Sequence, residues 1–148
     1  MAREVEELRA LDVTINGMTI EALADDGSQI LSIRKDIWEK IGTPIRSDHV
    51  MMMESANRSK NETMGLLQDL KVEIGGYDFY VQVQVVQEAP YELLLGRPFF
   101  TLTQATYRHF SNGSSHLTLI DPNTHAIITI PTHARKRGQV QMAFQSGF

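Results

Sequence analysis

Leu23-Ala24-Asp25-Asp26-Gly27-Ser28 places two adjacent carboxylates after an apolar run and before a glycine–serine turn. A turn of this composition can hold a carboxylate at the mouth of a β-rich domain, where general acid–base chemistry needs it. Asp-Gly by itself is most often only a turn, so its surroundings decide the reading. A second apolar run ending in glycine, Leu93-Leu94-Leu95-Gly96-Arg97-Pro98, follows further along the chain. Together the two segments suggest one half of a symmetric site built on paired aspartates. The chain has one Asp-Gly-Ser, so a second copy has to come from another chain.

The elements that would position these residues are mostly strands. Asp12–Ile15 and Met18–Leu23 flank Asn16-Gly17, the pattern of a hairpin closed by a type I′ turn. After the acidic turn comes the short apolar run Ile30–Ile33. Ile33, Ile37, Trp38 and Ile41 then recur at helical spacing over residues 34–41, and Gly42 and Pro44 end that helix. Residues 47–54 and 63–74 read as the two arms of a long hairpin with a polar tip at 55–62. Gly75-Gly76 is a further hairpin turn. Phe79–Val86 alternates around Gln82 and Gln84, which predicts one buried and one wet face. Leu93–Leu95 is a short buried strand, and a helix follows from Gly96 to about Thr103, with Pro98 near its first position. Residues 105–110, 116–120 and 126–130 are three more strands.

Composition narrows the function. The chain has 148 residues, 42% apolar and 22% charged, which suits a single soluble globular domain with a real core. Residues 1–10 read as a charged lead-in, 11–131 as the domain, and 132–148 as a polar tail with a basic cluster at Arg135-Lys136-Arg137. A net charge of −4 gives no electrostatic reason to expect nucleic-acid binding. No long apolar run predicts a membrane span, and no basic-then-apolar leader follows Met1, so an intracellular protein is expected. The absence of cysteine removes disulfides, thiolate metal sites and a cysteine nucleophile. The five histidines lack ligand spacing, so no metal or cofactor is expected. Sequons at Asn57, Asn61 and Asn112 read as chance matches. Met51, Met52 and Met53 could floor a cleft or pack the core, and Trp38 reads as a core anchor of the first helix.

The segments ALADDGSQ (residues 22–29) and LLLGRPFF (residues 93–100), in this order and with a hairpin between them, resemble the retropepsin family of aspartic proteases. The closest likeness is to protease domains of Ty3/gypsy-type retrotransposon polyproteins, particularly fungal ones, and it covers roughly residues 11–131. The resemblance implies an all-β fold: a retropepsin-like closed barrel with a flap hairpin and two short helices. It implies that Asp25 is the catalytic carboxylate, paired with its mate across the two-fold axis of a homodimer. Asp26, Gly27 and Ser28 complete the active-site loop. Ser55, Ala56 and Asn57 fall on the flap that closes over a bound peptide, and Gly96 and Arg97 on the second strand-turn motif. It further implies an endopeptidase that cuts extended polyprotein segments with an activated water. Its partners would be a second copy of itself and a polypeptide, with no role for nucleic acid or membrane. It would work in the cytoplasm or inside a retrotransposon particle.

Two positions depart from the family pattern. Asp26 stands where Thr or Ser usually donates a hydroxyl across the dimer interface. An ionised carboxylate cannot donate, and two symmetry copies bring two more negative charges to the axis. A second reading is therefore a weak or inactive domain of the same fold that serves as a dimerisation or peptide-binding module. Asp26 as the catalyst would misplace the glycine by one position. Gln29 stands where an acidic residue often pairs with the helix arginine, so Arg97 has to find another partner or be solvated.

Overall fold

The computed structural model describes residues 6–48, 50–54 and 60–136. His49 and the positions read from the sequence as a flap, Ser55, Ala56 and Asn57, lie outside the described residues. The chain runs β1 (Ala10–Ile15), β2 (Met18–Ala24), β3 (Ser32–Arg34), α1 (Lys35–Ile41), β4 (Met52–Glu54), β5 (Lys60–Glu62), β6 (Gly65–Ile74), β7 (Tyr77–Val86), β8 (Leu93–Leu95), α2 (Arg97–Thr103), β9 (Thr106–His109), β10 (Ser115–Ile120) and β11 (Ile127–Pro131). Six strands close a barrel in the order β1-β2-β8-β3-β7-β6. β9, β10 and β11 form a separate three-stranded sheet, and β4 pairs with β5 alone. The fold is thus the expected closed barrel with two short helices.

Local sequence explains most of this. Asn16 and Gly17 both take positive φ, 50° and 78°, as a type I′ turn requires, and β1 and β2 pair in register from Ala10↔Leu23 to Ile15↔Met18. Gly42 ends α1 in the left-handed region, and its amide bonds the Trp38 carbonyl. Trp38 is half-buried against the core, and its indole N–H donates to Thr43 O at 2.7 Å. The barrel interior is filled by alternate residues of every strand, among them Leu11, Val13, Ile33, Val83, Leu93 and Leu95. Phe79 and Phe99 meet edge to face there, with centroids 6.1 Å apart.

Three expectations need correction. The long hairpin arms are shorter and interrupted: β4 covers only Met52–Glu54, and the return strand is split into β5 and β6. The cause is a change of partner at residues 63–64. The Thr63 amide still bonds Met51 O, whereas the Met64 amide bonds Val85 O on β7. Gln84 is buried rather than wet, because the Thr63 hydroxyl crosses to its side-chain oxygen at 2.6 Å. The region read as lead-in and tail is also tied together. Ala10 and His133 exchange two backbone hydrogen bonds of 2.8 Å, and Arg9 bonds Thr132 through its guanidinium.

Replacing Phe79 with Ala would open a cavity in the main core. A fully buried Phe lost from a packed core costs about 3–5 kcal/mol. Denaturant unfolding of Phe79→Ala should show a loss of that size with little change in the denaturant slope. A loss under about 1 kcal/mol would contradict the packing described.

Candidate active site

The acidic turn is held by an uncommon strand order. β8 lies between β2 and β3, parallel to one and antiparallel to the other. The chain therefore leaves β2 at Ala24, turns through residues 25–31, and re-enters the sheet two strands away, with β8 filling the gap. The Asp25 amide continues the ladder to Leu95 O at 3.0 Å. The Ser28 amide closes a turn onto Asp25 O at 3.1 Å, and the Gly27 amide donates to Asp25 Oδ1 at 3.0 Å. One carboxylate oxygen is thus oriented by the backbone, and Oδ2 accepts no hydrogen bond from a described residue. Asp25 is half-buried, whereas Asp26 and Gly27 are exposed.

Gly96 locks the turn from below. A Cβ there would lie 2.0 Å from Ile30 O and 3.0 Å from Ser28 O, so only glycine lets the two segments touch. The next amide, of Arg97, donates to Ser28 O at 2.7 Å, and the Ser28 hydroxyl donates to Ile30 O at 2.9 Å. Gly27, Ser28, Gly96 and the Arg97 backbone therefore form one assembly under Asp25. The Arg97 side chain is exposed and makes no hydrogen bond or ion pair with a described residue. With Gln29, Pro98, Thr101 and Leu102 it lines an open groove of about 570 Å³.

Strand alternation shows what else shares the face of Asp25. Ile20, Ala22 and Ala24 point into the barrel, so Glu21, Leu23 and Asp25 point outward. Leu93 and Leu95 point inward, so Leu94 points outward beside Leu23, its register partner. Ala10, paired with Leu23 on the other side, completes an apolar row covered by Tyr91. The Tyr91 hydroxyl meets Ser32 Oγ at 2.7 Å; burial and the nearby Asp25 charge push its ionisation up, against the Ser32 hydrogen bond. Arg34 holds the loop that carries Tyr91. A bidentate pair with Asp36, at 2.6 and 3.1 Å, fixes the guanidinium so that Nη1 faces the carbonyls of Ala89 and Tyr91. That contact raises Arg34 and lowers Asp36 from their ordinary ionisation ranges.

Tyr107 stands near the second carboxylate. Its ring packs on Phe100, stacks on His109 at 5.2 Å, and leans on the main core. Burial, with the negative field of Asp26 second, pushes the phenol up to about 12. The spacing of motifs singled out Asp25, Gly27, Ser28 and Gly96, which the fold does bring together. It missed Leu23, Leu94, Tyr91, Arg34 and Tyr107. The alternation Glu21-Leu23-Asp25 could have revealed the apolar row. Arg34 and Tyr107 act through contacts distant in sequence, and nothing local marks them. Met51 and Met52 are exposed.

Two measurements test this geometry. Gly96→Ala should unfold the turn or cost several kcal/mol, because the obstructing atoms are backbone; a variant as stable as the parent would refute the close approach. Tyr107 has a folded value above its unfolded value near 10. Its contribution to stability is therefore complete below about pH 10 and lost as pH rises toward 12. The tyrosinate absorbance removed by Tyr107→Phe should titrate near 12, and Asp26→Asn should lower that midpoint. An unshifted midpoint would separate Asp26 from Tyr107.

Comparison with known proteins agrees with this architecture. Residues 11–101 match the family described as "gag-polyprotein putative aspartyl protease". Among solved structures, the retroviral protease-like domain of Ddi1 from Leishmania major is similar in fold, with a TM-score of 0.66 at 20% identity. The match covers 90% of this chain and 98% of that one. Among curated proteins none matches the chain in sequence. No described helix is long and apolar enough to cross a membrane. The turn that presents Asp25, the crossing that Gly96 permits and the matched segment containing both place this chain in the retroviral-type gag-polyprotein aspartyl protease family.

Proposed function

We propose that the protein is an aspartic endopeptidase that works as a homodimer, with Asp25 from each copy forming the catalytic pair. The observation that carries this reading is the Asp25 carboxylate itself. One oxygen is oriented by the Gly27 amide, the other takes no hydrogen bond from a described residue, and an apolar row lies beside them on one face. A single carboxylate so placed is half a catalyst. Two within about 3 Å cannot both ionise cheaply, so they share a proton. The ionised member takes a proton from water, the water oxygen attacks the peptide carbonyl, and the protonated member donates a hydrogen bond to the carbonyl oxygen. Side chains flanking the scissile bond would pack against Tyr91 and the margin of the apolar row that it covers. The β4–β5 hairpin would act as the flap, to which the sequence pattern assigns Ser55, Ala56 and Asn57. The substrate fitting this apolar row is an extended polypeptide such as the polyprotein of a Ty3/gypsy-type retrotransposon, and no cofactor is needed.

The open edge of β9 supports dimerisation. β9 pairs with β10 on one side, while Tyr107 on the same strand lies close enough for Asp26 to act on its phenol. A second copy adding its own edge there would bring the two acidic turns together about a two-fold axis. A specific observation favours the second reading, a weak or inactive dimerisation or peptide-binding domain: Asp26 is exposed and has no cationic or donor partner among the described residues. Across a two-fold axis its charge repels its own copy.

Sedimentation should find a dimer, and a peptide pool assayed from acid to neutral pH should be cleaved. Asp25→Asn should lower turnover by roughly a thousandfold without changing the dimer. Asp26→Thr should tighten the dimer by about tenfold, equal to about 1.4 kcal/mol, by removing the repulsion. A demonstrated dimer that binds peptides but cuts none would leave the binding-module reading in place. A monomer at all concentrations would remove both.

A further inference from the structure

The outward face that carries Asp25 has two rows. The apolar row is Ala10, Leu23 and Leu94. Two residues further from Asp25 lies an acidic row, in which Asp12 pairs in register with Glu21, and Glu92 accepts the Glu21 amide at 2.9 Å. At about 3.3 Å per residue the acidic row is roughly 13 Å from Asp25 along β2. An extended peptide centred on Asp25 reaches it with its third or fourth residue from the scissile bond.

That row is already covered by the chain itself. After pairing with Ala10, residues 133–136 leave the edge of β1 and cross the face. His133 Nε2 lies 3.2 Å from Asp12 Oδ1, and Lys136 Nζ lies 3.4 Å from the same atom. The Lys136 amide donates to Glu21 Oε2 at 2.8 Å, and the Arg135 guanidinium donates to Pro90 O in the loop that precedes β8. His133 Nδ1 is 3.9 Å from the same Glu21 oxygen. The crossing therefore runs from β1 over β2 toward β8, with His133 and Lys136 on the carboxylates of Asp12 and Glu21, Arg135 on a main-chain carbonyl, and one main-chain amide seated on a carboxylate.

We infer that the segment His133–Lys136 is a built-in competitor for the outer part of the peptide-binding face, a strap that long substrates must displace and short ones do not meet. The inference rests on the peptidase reading. The strap's ion pairs are partly exposed, between 18% and 62% for the side chains involved, so each is weak and screened by salt. A weak clamp of this kind tunes affinity rather than abolishing it. It lies away from Asp25, so it should act on substrate binding and leave the chemical step alone.

The test uses the full chain and two statine-containing peptide analogues, whose hydroxyl mimics the attacked carbonyl. One is hexapeptide length and spans both rows; the other is a dipeptide confined to the apolar row. Calorimetry should find that R135A/K136A binds the long analogue about three- to tenfold more tightly than the parent, a gain that shrinks in high salt. The short analogue should bind both proteins equally. Lys136→Pro, which removes the seated amide, should reproduce the gain if the double variant proves unstable. Equal affinity of the long analogue for all three proteins would overturn the strap and leave the peptidase reading standing. A gain for the short analogue as well would also overturn it, because the effect would then not be confined to the outer row. Binding of neither analogue to any protein would remove the peptidase reading, and the strap's role with it.

Discussion

The structure around Asp25 depends on one close approach, the contact of Gly96 with the carbonyls of Ile30 and Ser28. Placing β8 between β2 and β3 forces the chain leaving β2 to pass over the start of α2. The two segments come so near that a Cβ would sit 2.0 Å from a carbonyl oxygen. Because glycine lies there, the Arg97 amide reaches Ser28 O and the Asp25 amide reaches Leu95 O. The acidic turn is thereby fastened at one end to a strand buried on both faces and at the other to the start of α2. A carboxylate on a free loop would sample many orientations; here the turn amide and the sheet remove that freedom before any ligand arrives.

The same strands that hold Asp25 also sort its neighbours. With a period of two, inward positions of β2 and β8 build the barrel core, and outward positions become the surface next to Asp25. This is why an apolar row and an acidic row lie at successive distances from one carboxylate. Arg34 and Ser32, on β3, hold the loop of Tyr91 over the apolar row from the far side of β8. The face beside Asp25 is thus shaped by three strands whose spatial order differs from their order in sequence.

That difference marks the limit of what could be read from residues alone. Asn16-Gly17, the helical spacing of Ile33, Ile37 and Ile41, and the Pro98 helix start are local signals, and the fold follows them. The acidic turn and Gly96 were visible as motifs for a related reason: each needs an unusual residue at a fixed place. Gln84 was misjudged because its alternating pattern is local, whereas its burial comes from Thr63, twenty-one positions earlier. The clamp of Arg34 on residues 89 and 91 and the seating of Lys136 on Glu21 join segments far apart in the chain. No periodicity or composition records such contacts.

Asp26 is the point at which fold and chemistry pull apart. The turn needs nothing from its side chain: the described hydrogen bonds around it come from Asp25, Gly27 and Ser28. Folding therefore tolerates a carboxylate there, and so does the presentation of Asp25. On the homodimer reading the cost would fall on assembly, where a hydroxyl could donate to a second copy and an ionised carboxylate cannot. On that same reading, such a substitution leaves a half-site whose use depends on how two like charges would be accommodated at the axis. Protonation, a counter-charge such as the exposed Arg97, or separation of the turns would each do so. Of these, only separation would leave the pair of Asp25 carboxyls too far apart to share a proton. For the proposed homodimer, activity is thus a question of the geometry at the two-fold axis rather than of the fold beneath it.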